Sequence, residues 1–389
     1  MAYFRKRGST WSYTIDIGRK PDGRRDQKTV SGFKTKKDAQ LASAEVLREV
    51  EDGTYVKEQD ITFEQFVNEW LELYGDNVKE SSVRVRRHES NCLVALFDAN
   101  TKIKDITPRI YQKALTDLKK DGYAENTLAG IHGTGRMIFK KAVELKIRKD
   151  DPTQYARIPR VQKTVEELEQ ETEIPKYLEK EELAVLLRTA REKGLEGDYA
   201  IFLTLAYTGI RVGELCALKW TDIDSDEETI TITKTYYNPS NNTVKYKLQT
   251  PKTGSSKRTI EVDKLVIQEL ERHRLKQNII RMKHRETYHD KNFIFTKTED
   301  KFGYPHYIKF VENRMARLLK LSGLSTNLTP HSLRHTHTSL LAEAGVGLEE
   351  IMERLGHSDD EITRKVYLHV TRTKKKEAAQ KFSELMSCL

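Results

Sequence analysis

The spacing of apolar residues changes twice along this chain of 389 residues. Residues 11–17 alternate between apolar and polar side chains, which is the pattern of a half-buried β-strand. Residues 60–160 repeat apolar positions at helical spacing, and residues 177–389 combine both patterns. Because a single core rarely extends over a chain of this length, the sequence predicts two or three domains.

Residues 1–57 are predicted to form a small β-sheet followed by one helix. A second strand is expected at 27–31. The Pro-Asp-Gly sequence at 21–23 provides the turn before it, because proline fixes φ and glycine accepts a positive φ. Thr35 is expected to cap the helix, with Asp38 in the capping-box position.

The N-terminal segment is also strongly basic. Between residues 1 and 40, eleven Lys and Arg residues outnumber four Asp and Glu residues. Aromatic residues are interleaved with these cations, namely Tyr3, Phe4, Trp11 and Tyr13. A basic sheet of this kind can lay its strands into a DNA groove, and the net charge of +9 favours a polyanionic partner. A solvated basic tail is the alternative.

Residues 60–160 are predicted to be entirely helical. Thr62 is expected to cap a helix that ends at Gly75 and carries an apolar stripe, formed by Phe63, Phe66, Val67, Trp70, Leu71 and Tyr74. Further helices are expected at 81–97, 108–120 and 126–146. Their cations form either an ordinary solvated face or phosphate contacts, and they are Arg84, Arg86, Arg87, Lys113, Lys119, Lys120, Arg136, Lys140 and Lys141.

Residues 161–176 are predicted to be a linker, because five glutamates make them acidic and Pro175 interrupts the chain near their end. A mixed domain is expected from 177 to 389, with helices, then a β-rich region, then helices to the end. The first helices are expected at 180–193, 197–207 and 212–218, and the strand candidates are 229–236, 243–249 and 257–262.

The sequence lacks a run of about 18 apolar residues, and its N-terminus lacks a signal-peptide pattern. Cys92, Cys216 and Cys388 lie far apart without Cys-x-x-Cys spacing. This usage predicts reduced thiols in a cytoplasmic protein rather than a disulfide framework or a zinc site.

Five short sequence contexts in the C-terminal half contain residues that could act on a phosphodiester. They read Thr-Gly-Ile-Arg-Val-Gly-Glu-Leu (208–215), Thr-Pro-Lys-Thr-Gly (250–254), His-Ser-Leu-Arg-His-Thr (331–336), Leu-Gly-His-Ser (355–358) and Arg-Lys-Val-Tyr-Leu-His-Val (364–370). Cutting a DNA strand without metal or water requires a nucleophile, stabilisation of the developing negative charge and a proton for the departing 5′-oxygen. These contexts supply a candidate for each task.

Two arginines are candidates for the phosphate contacts. Arg211 is expected at the start of a helix, where a guanidinium and backbone N–H groups can point at one phosphate, and Arg334 supplies a second guanidinium. Glu214, one helical turn after Arg211, either orients that arginine or is a structural carboxylate. His331 lies three residues before Arg334, so both are expected on one helix face. The spacing of His331 and His335 also suits zinc, but the sequence shows no further ligand cluster.

This set of residues, in this order, resembles the tyrosine recombinase (phage integrase) family. The resemblance implies that Tyr367 is the nucleophile, which forms a 3′-phosphotyrosine bond with DNA, and that His357 contacts the scissile phosphate. It also implies that His331 acts on the phosphate oxygens and assists proton transfer, and that Lys252, between two strands, protonates the leaving 5′-oxygen. Rival lysines for that last role are Lys245, Lys247 and Lys257. Ser332 departs from the family pattern, since many members have Asp there.

The resemblance implies a multidomain fold. A sheet-plus-helix arm-type DNA-binding domain is expected over 1–57, an all-α, SAM-like core-binding domain over 60–160, and a mainly α catalytic domain with a small antiparallel sheet over 177–389. The implied partners are double-stranded DNA at arm and core attachment sites, a homotetramer on that DNA, an excisionase and a host DNA-bending protein, with no cofactor and no metal. A C-terminal apolar stripe would dock on a neighbouring subunit or on its own domain, and it consists of Ala378, Phe382, Leu385 and Met386.

The sequence therefore predicts a bacterial site-specific integrase that inserts and excises a temperate phage or an integrative conjugative element. A Xer-like chromosome-dimer resolvase is the nearest alternative. A type IB topoisomerase would share the chemistry, whereas a non-catalytic DNA-binding regulator would form no covalent adduct. A metal-dependent transposase is disfavoured, because the sequence shows no organised carboxylate triad.

Overall fold

The computed structural model describes residues 2–19, 22–52, 55–56, 60–160, 177–251, 256–356 and 361–370. The chain divides into two compact units, residues 1–164 and 165–389. Several predictions fall outside the described residues, namely those on Pro21, the linker at 161–176, Lys252, His357, the C-terminal stripe and Cys388.

The first unit begins with an antiparallel sheet and one helix. The elements are β1 (Ala2–Arg7), β2 (Thr10–Arg19), β3 (Arg25–Phe33) and α1 (Lys36–Glu51), and β2 is the central strand. The two predicted strands and the helix are confirmed, and β1 is an additional strand that the sequence prediction did not include. The predicted cap is also confirmed, since the Thr35 hydroxyl accepts the N–H of Asp38 at 3.1 Å and the Asp38 carboxylate accepts the N–H of Thr35 at 3.2 Å.

The following region of the first unit is helical, as predicted. Its helices are α2 (Phe63–Gly75), α3 (Glu80–Val94), α4 (Pro108–Lys120) and α5 (Glu125–Glu144). The apolar stripe of α2 lies in the core, and Thr62 forms the predicted cap with Gln65 through hydrogen bonds of 3.2 and 3.1 Å. Arg86, one of the predicted surface cations, is half-buried and donates to Glu89 at 2.7 Å. This arginine therefore stabilises the helical packing.

The second unit is built mainly from helices around one central helix. They are α6 (Lys180–Lys193), α7 (Asp198–Thr208), α8 (Val212–Ala217), α9 (Lys264–Lys283), α10 (Ile308–Ser322), α11 (Pro330–Ala344), α12 (Leu348–Leu355) and a helical segment at 361–370. Nine of the eleven residues of α7 are buried, and α7 contacts α6, α9 and α11. Because α7 is covered on all sides, its sequence is apolar without a polar face.

The strands of the second unit form two small antiparallel sheets. They are β4 (Ile223–Asp224), β5 (Thr229–Ile232), β6 (Thr235–Tyr237), β7 (Lys247–Gln249) and β8 (Arg258–Glu261), in the orders β4-β5-β8 and β6-β7. The prediction of a single strand at 229–236 is wrong. Strand β8 begins at Arg258 opposite Ile232, so the chain leaves that sheet there, and Lys234 donates to Asp222 at 2.6 Å.

Two further predictions about the second unit are wrong. The strand expected at 243–249 is shortened, because the side chain of Asn242 accepts the N–H groups of Val244 at 3.0 Å and Lys245 at 3.2 Å and holds a turn there. The helices expected to continue to the end are interrupted at 284–307, where the chain forms only isolated bridges and turns. None of the described helices is both long and apolar enough to cross a membrane.

Candidate active site

Arg211 lies at the N-cap of α8, as predicted. Helix α7 ends at Gly209, whose φ of +63° lies in the left-handed region that favours glycine. A Cβ at this position would lie 2.7 Å from Cδ2 of His337 and 2.8 Å from a methyl carbon of Leu355. The tight turn at Gly209 therefore brings α8 directly after α7 and places Arg211 at the start of the new helix.

Glu214 binds Arg211 at two points. The backbone N–H of Arg211 donates to Oε2 of Glu214 at 2.9 Å, and its Nη1 donates to Oε1 at 3.0 Å. Of the two readings of Glu214, the structure favours the one in which this carboxylate orients Arg211. The carboxylate is buried, whereas the Arg211 side chain keeps 37% of its surface exposed.

Arg334 is buried on α11 and connects the ends of two other helices. Its Nη1 donates to the carbonyl of Gly209 at 2.7 Å, and its Nη2 donates to the carbonyl of Leu355 at 2.6 Å. Gly209 stands two residues before Arg211. The buried guanidinium therefore lies beside the chain segment that carries Arg211, as a shared phosphate site requires.

His331 lies in the first turn of α11 and is exposed. Its ring contacts that of His335 edge to face, with centroids 4.8 Å apart. Ser332 completes the helix cap, since its hydroxyl accepts the N–H of Thr329 at 3.2 Å. The serine therefore takes the capping role that an aspartate can fill, without adding a negative charge. Within the described ranges, no group of three His, Cys, Asp or Glu side chains could hold a metal ion.

His337 is a hydrogen-bonded packing residue of α11. Its Nδ1 lies 2.9 Å from the carbonyl of Ala206, and its Nε2 accepts from Nε of Arg354 at 3.1 Å. Burial, reinforced by the charge of Arg354, lowers the pKa of His337 to about 3. The neutral ring therefore donates through Nδ1 and accepts through Nε2 at physiological pH.

Tyr367 lies in the helical segment at 361–370 and is half-buried. It packs against a small cluster that includes Ile351, Leu355 and Val370. Since Leu355 also provides a carbonyl to Arg334, this packing associates the segment of Tyr367 with the arginine site. Lys252 falls between β7 and β8 and His357 follows α12, and both remain predictions because they lie outside the described residues.

Arg258 is a residue of this site that the sequence prediction misses. Its Nη2 donates to Oε2 of Glu214 at 2.9 Å, although the two residues are 44 positions apart. Only the strand period could have indicated it, because Arg258 and Ile260 share one face of β8 and Ile260 is buried. An arginine on an inward face needs a buried acceptor, and Glu214 provides it.

Three family models match successive parts of the chain. Residues 176–374 match the phage integrase family, residues 2–50 match an arm DNA-binding domain, and residues 62–119 match the N-terminal SAM-like domain of phage integrases. The prophage ps2 probable integrase of Lactococcus lactis is 30% identical over 355 residues, which cover 88% of this chain and 88% of the relative.

Two solved structures share the fold. The Tn1549 transposon integrase in complex with transposon right end DNA has a TM-score of 0.63 and 23% identity, and the match covers 82% of this chain and 100% of that one. A lambda integrase tetramer bound to a Holliday junction has a TM-score of 0.54 and 16% identity, and the match covers 94% of both chains. Because the family match spans half of the chain and a 30% identical relative covers most of it, this chain belongs to the phage integrase family.

Proposed function

We propose that this protein is a site-specific DNA recombinase that integrates and excises a mobile element by cutting and rejoining DNA strands. The observation that carries this proposal is the adjacency of Arg211 and Arg334. Arg334 is bonded to the carbonyl of Gly209, two residues from Arg211, and the Leu355 carbonyl that Arg334 also binds belongs to a member of the small cluster on which Tyr367 packs.

The proposed reaction proceeds by two phosphoryl transfers. The phenol oxygen of Tyr367 attacks the scissile phosphorus, a 3′-phosphotyrosine bond forms, and the bond to the 5′-oxygen breaks. Arg211 and Arg334 stabilise the added negative charge of the transition state. The 5′-hydroxyl of a partner strand then attacks the phosphotyrosine, which restores the free tyrosine and rejoins the DNA without an external energy source.

Proton transfers and further phosphate contacts are assigned to three other residues. His331, exposed in the first turn of α11, would contact the phosphate oxygens and assist removal of the tyrosine proton. Lys252 would deliver a proton to the departing 5′-oxygen, and His357 would donate to the scissile phosphate. Lys252 lies in sequence between β7 and β8, which belong to different sheets.

A separate role is proposed for each of three domains. Residues 1–57 would bind arm sites, residues 60–160 would bind the core site, residues 161–176 would connect them to the rest, and residues 177–389 would perform catalysis. The basic three-stranded sheet supports the first assignment, as does the match to an arm DNA-binding domain. Assembly as a homotetramer on DNA is proposed from the fold shared with the lambda integrase tetramer, and an excisionase and a DNA-bending protein would set the direction.

The test is covalent trapping on nicked duplexes that carry candidate attachment sites. After incubation, wild-type protein is expected to run on denaturing gels as a 3′-linked DNA adduct, and Tyr367→Phe is expected to give none. Tyr199→Phe is the matched control, because it removes a hydroxyl from the same unit outside the site. An adduct that persists in Tyr367→Phe would reject the nucleophile assignment, and tight DNA binding with no adduct in wild type would favour a DNA-binding regulator.

A further inference from the structure

A buried arginine on β8 connects three elements of the candidate active site. Arg258 keeps only 6% of its side-chain surface exposed. Its Nε donates to the carbonyl of Arg354 at 2.8 Å, its Nη1 to the carbonyl of Ser256 at 3.2 Å, and its Nη2 to Glu214 at 2.9 Å. The guanidinium therefore joins β8 to the N-terminus of α8 and to the C-terminal end of α12.

The contact with Glu214 determines whether this carboxylate, which orients Arg211, remains ionised. Burial of Glu214 raises its pKa, but the hydrogen bonds and charge of Arg258, followed by those of Arg211, hold the pKa below its ordinary value. Arg211 is partly solvated, whereas Arg258 is buried, so solvent screens the attraction of Arg258 to Glu214 much less. Arg258 is therefore the main reason why Glu214 remains an anion that can hold Arg211.

The contact with the Arg354 carbonyl lies next to a carbonyl that accepts from Arg334. The carbonyl that Arg258 binds belongs to Arg354, and the adjacent carbonyl of Leu355 accepts from Arg334. Two guanidiniums thus hold consecutive carbonyls at the end of α12. Because helix-end carbonyls have no partner within their own helix, these bonds hold the last turn of α12 in place.

We propose that Arg258 is a positioning residue for strand cleavage. It holds the side chain of Arg211 in place through Glu214, and it supports the position of Arg334 through the end of α12. This role rests on the recombinase function proposed above. Arg258 itself would not touch the DNA, because its donors are directed at protein acceptors within the site.

The role predicts a specific pH dependence. The charged groups around Glu214 are Arg211 at the N-cap of its own helix and Arg258 on β8. Near Arg258 lie Lys257 just before that strand, Glu261 at its end and Arg354 on α12. Without Arg258, the largest of the influences that lower the pKa of Glu214 is lost, and this pKa rises. Cleavage by such a variant is then slow at neutral pH and becomes faster as rising pH ionises Glu214, whereas wild type shows no such dependence on Glu214.

The experiment compares Arg258→Gln with Arg258→Lys and with Arg188→Met, an exposed control in the same unit. Single-turnover adduct formation on a nicked duplex is measured across neutral and alkaline pH, and binding of the same duplex is measured by fluorescence anisotropy. We expect Arg258→Gln to bind DNA as wild type does and to form adduct about 10²-fold more slowly at neutral pH, with partial recovery at higher pH. Arg258→Lys should restore the wild-type pH profile with an intermediate rate.

Three results would overturn this role. They are a wild-type rate in Arg258→Gln, a slow rate with an unaltered pH profile, and a similar loss in Arg188→Met. If Arg258→Gln does not fold, Glu214→Gln provides the test, since a permanently neutral side chain should give slow cleavage without the alkaline recovery, and a wild-type rate there would reject the role. Absence of adduct in wild type would instead reject the recombinase proposal, so the two failures are distinguishable.

Discussion

Replacement of Arg334 by alanine should destabilise the second unit as well as abolish cleavage. The substitution removes two buried hydrogen bonds, which Arg334 donates to the carbonyls of Gly209 and Leu355 at 2.7 and 2.6 Å. A hydrogen bond from a charged donor contributes about 1.5–3 kcal/mol, so the loss of two lowers the free energy of unfolding by about 3–6 kcal/mol. Arg334→Lys should recover only part of this stability, because an ammonium lacks the planar fork of donors that reaches both carbonyls.

Arg211→Ala provides the contrast. The Arg211 side chain is 37% exposed, and its ion pair with Glu214 is therefore partly screened by solvent. Its removal should lower the free energy of unfolding by at most about 1 kcal/mol. Both alanine variants should lose adduct formation. Arg211→Ala should do so with little loss of stability, whereas Arg334→Ala should lose stability and adduct formation together.

The assay is urea unfolding followed by the fluorescence of Trp220. The chain has three tryptophans, and Trp11 and Trp70 belong to the first unit. In a background with Phe at both of those positions, Trp220 reports on the second unit, where its indole N–H donates to Gln277 at 2.7 Å. The midpoints of the variants are compared at constant m-value. A loss below about 1 kcal/mol for Arg334→Ala, or equal losses for the two alanine variants, would refute the reasoning.

Three further predictions concern other positions. Thr62→Ala should lower the stability of the first unit by about 1 kcal/mol through loss of the cap, and an unchanged urea midpoint would contradict it. Gly209→Ala should reduce the melting temperature and the adduct yield together, because its φ is +63° and the new methyl would lie 2.7 Å from the His337 ring, and normal melting would contradict it. Burial raises the pKa of the Cys216 thiol to about 12. In a background with serine at the other two cysteines, it should therefore react with a thiol reagent only after unfolding, and rapid labelling of folded protein would contradict this.

Elements defined by local signals were predictable from the sequence. The cap at Thr62 and the stripe after it fix α2 from Phe63 to Gly75, because both signals come from the helix itself and the residue that caps it. For the same reason α4 occupies the expected residues 108–120, where Thr107 caps it and Pro108 begins it.

Elements defined by distant partners were not predictable. The break after Ile232 depends on where β8 begins, more than twenty residues later, and the strand propensity of 229–236 continues through it. Arg258 escaped prediction because its acceptor Glu214 lies 44 positions away and no local motif marks the pair. The roles of Lys252 and His357 remain predictions from the family resemblance.

The hydrophobic clusters of the protein have consequences for how its sequence can diverge. Among the residues that the structure describes, the sheet cluster around Tyr13 and Ile15, the helical cluster around Phe66 and the large cluster around Phe202 have no side chain in common. Substitutions in separate clusters should therefore combine additively, without epistasis between them. Chimaeras that exchange residues 2–50 between relatives should therefore fold without compensating mutations in the recipient's other cores.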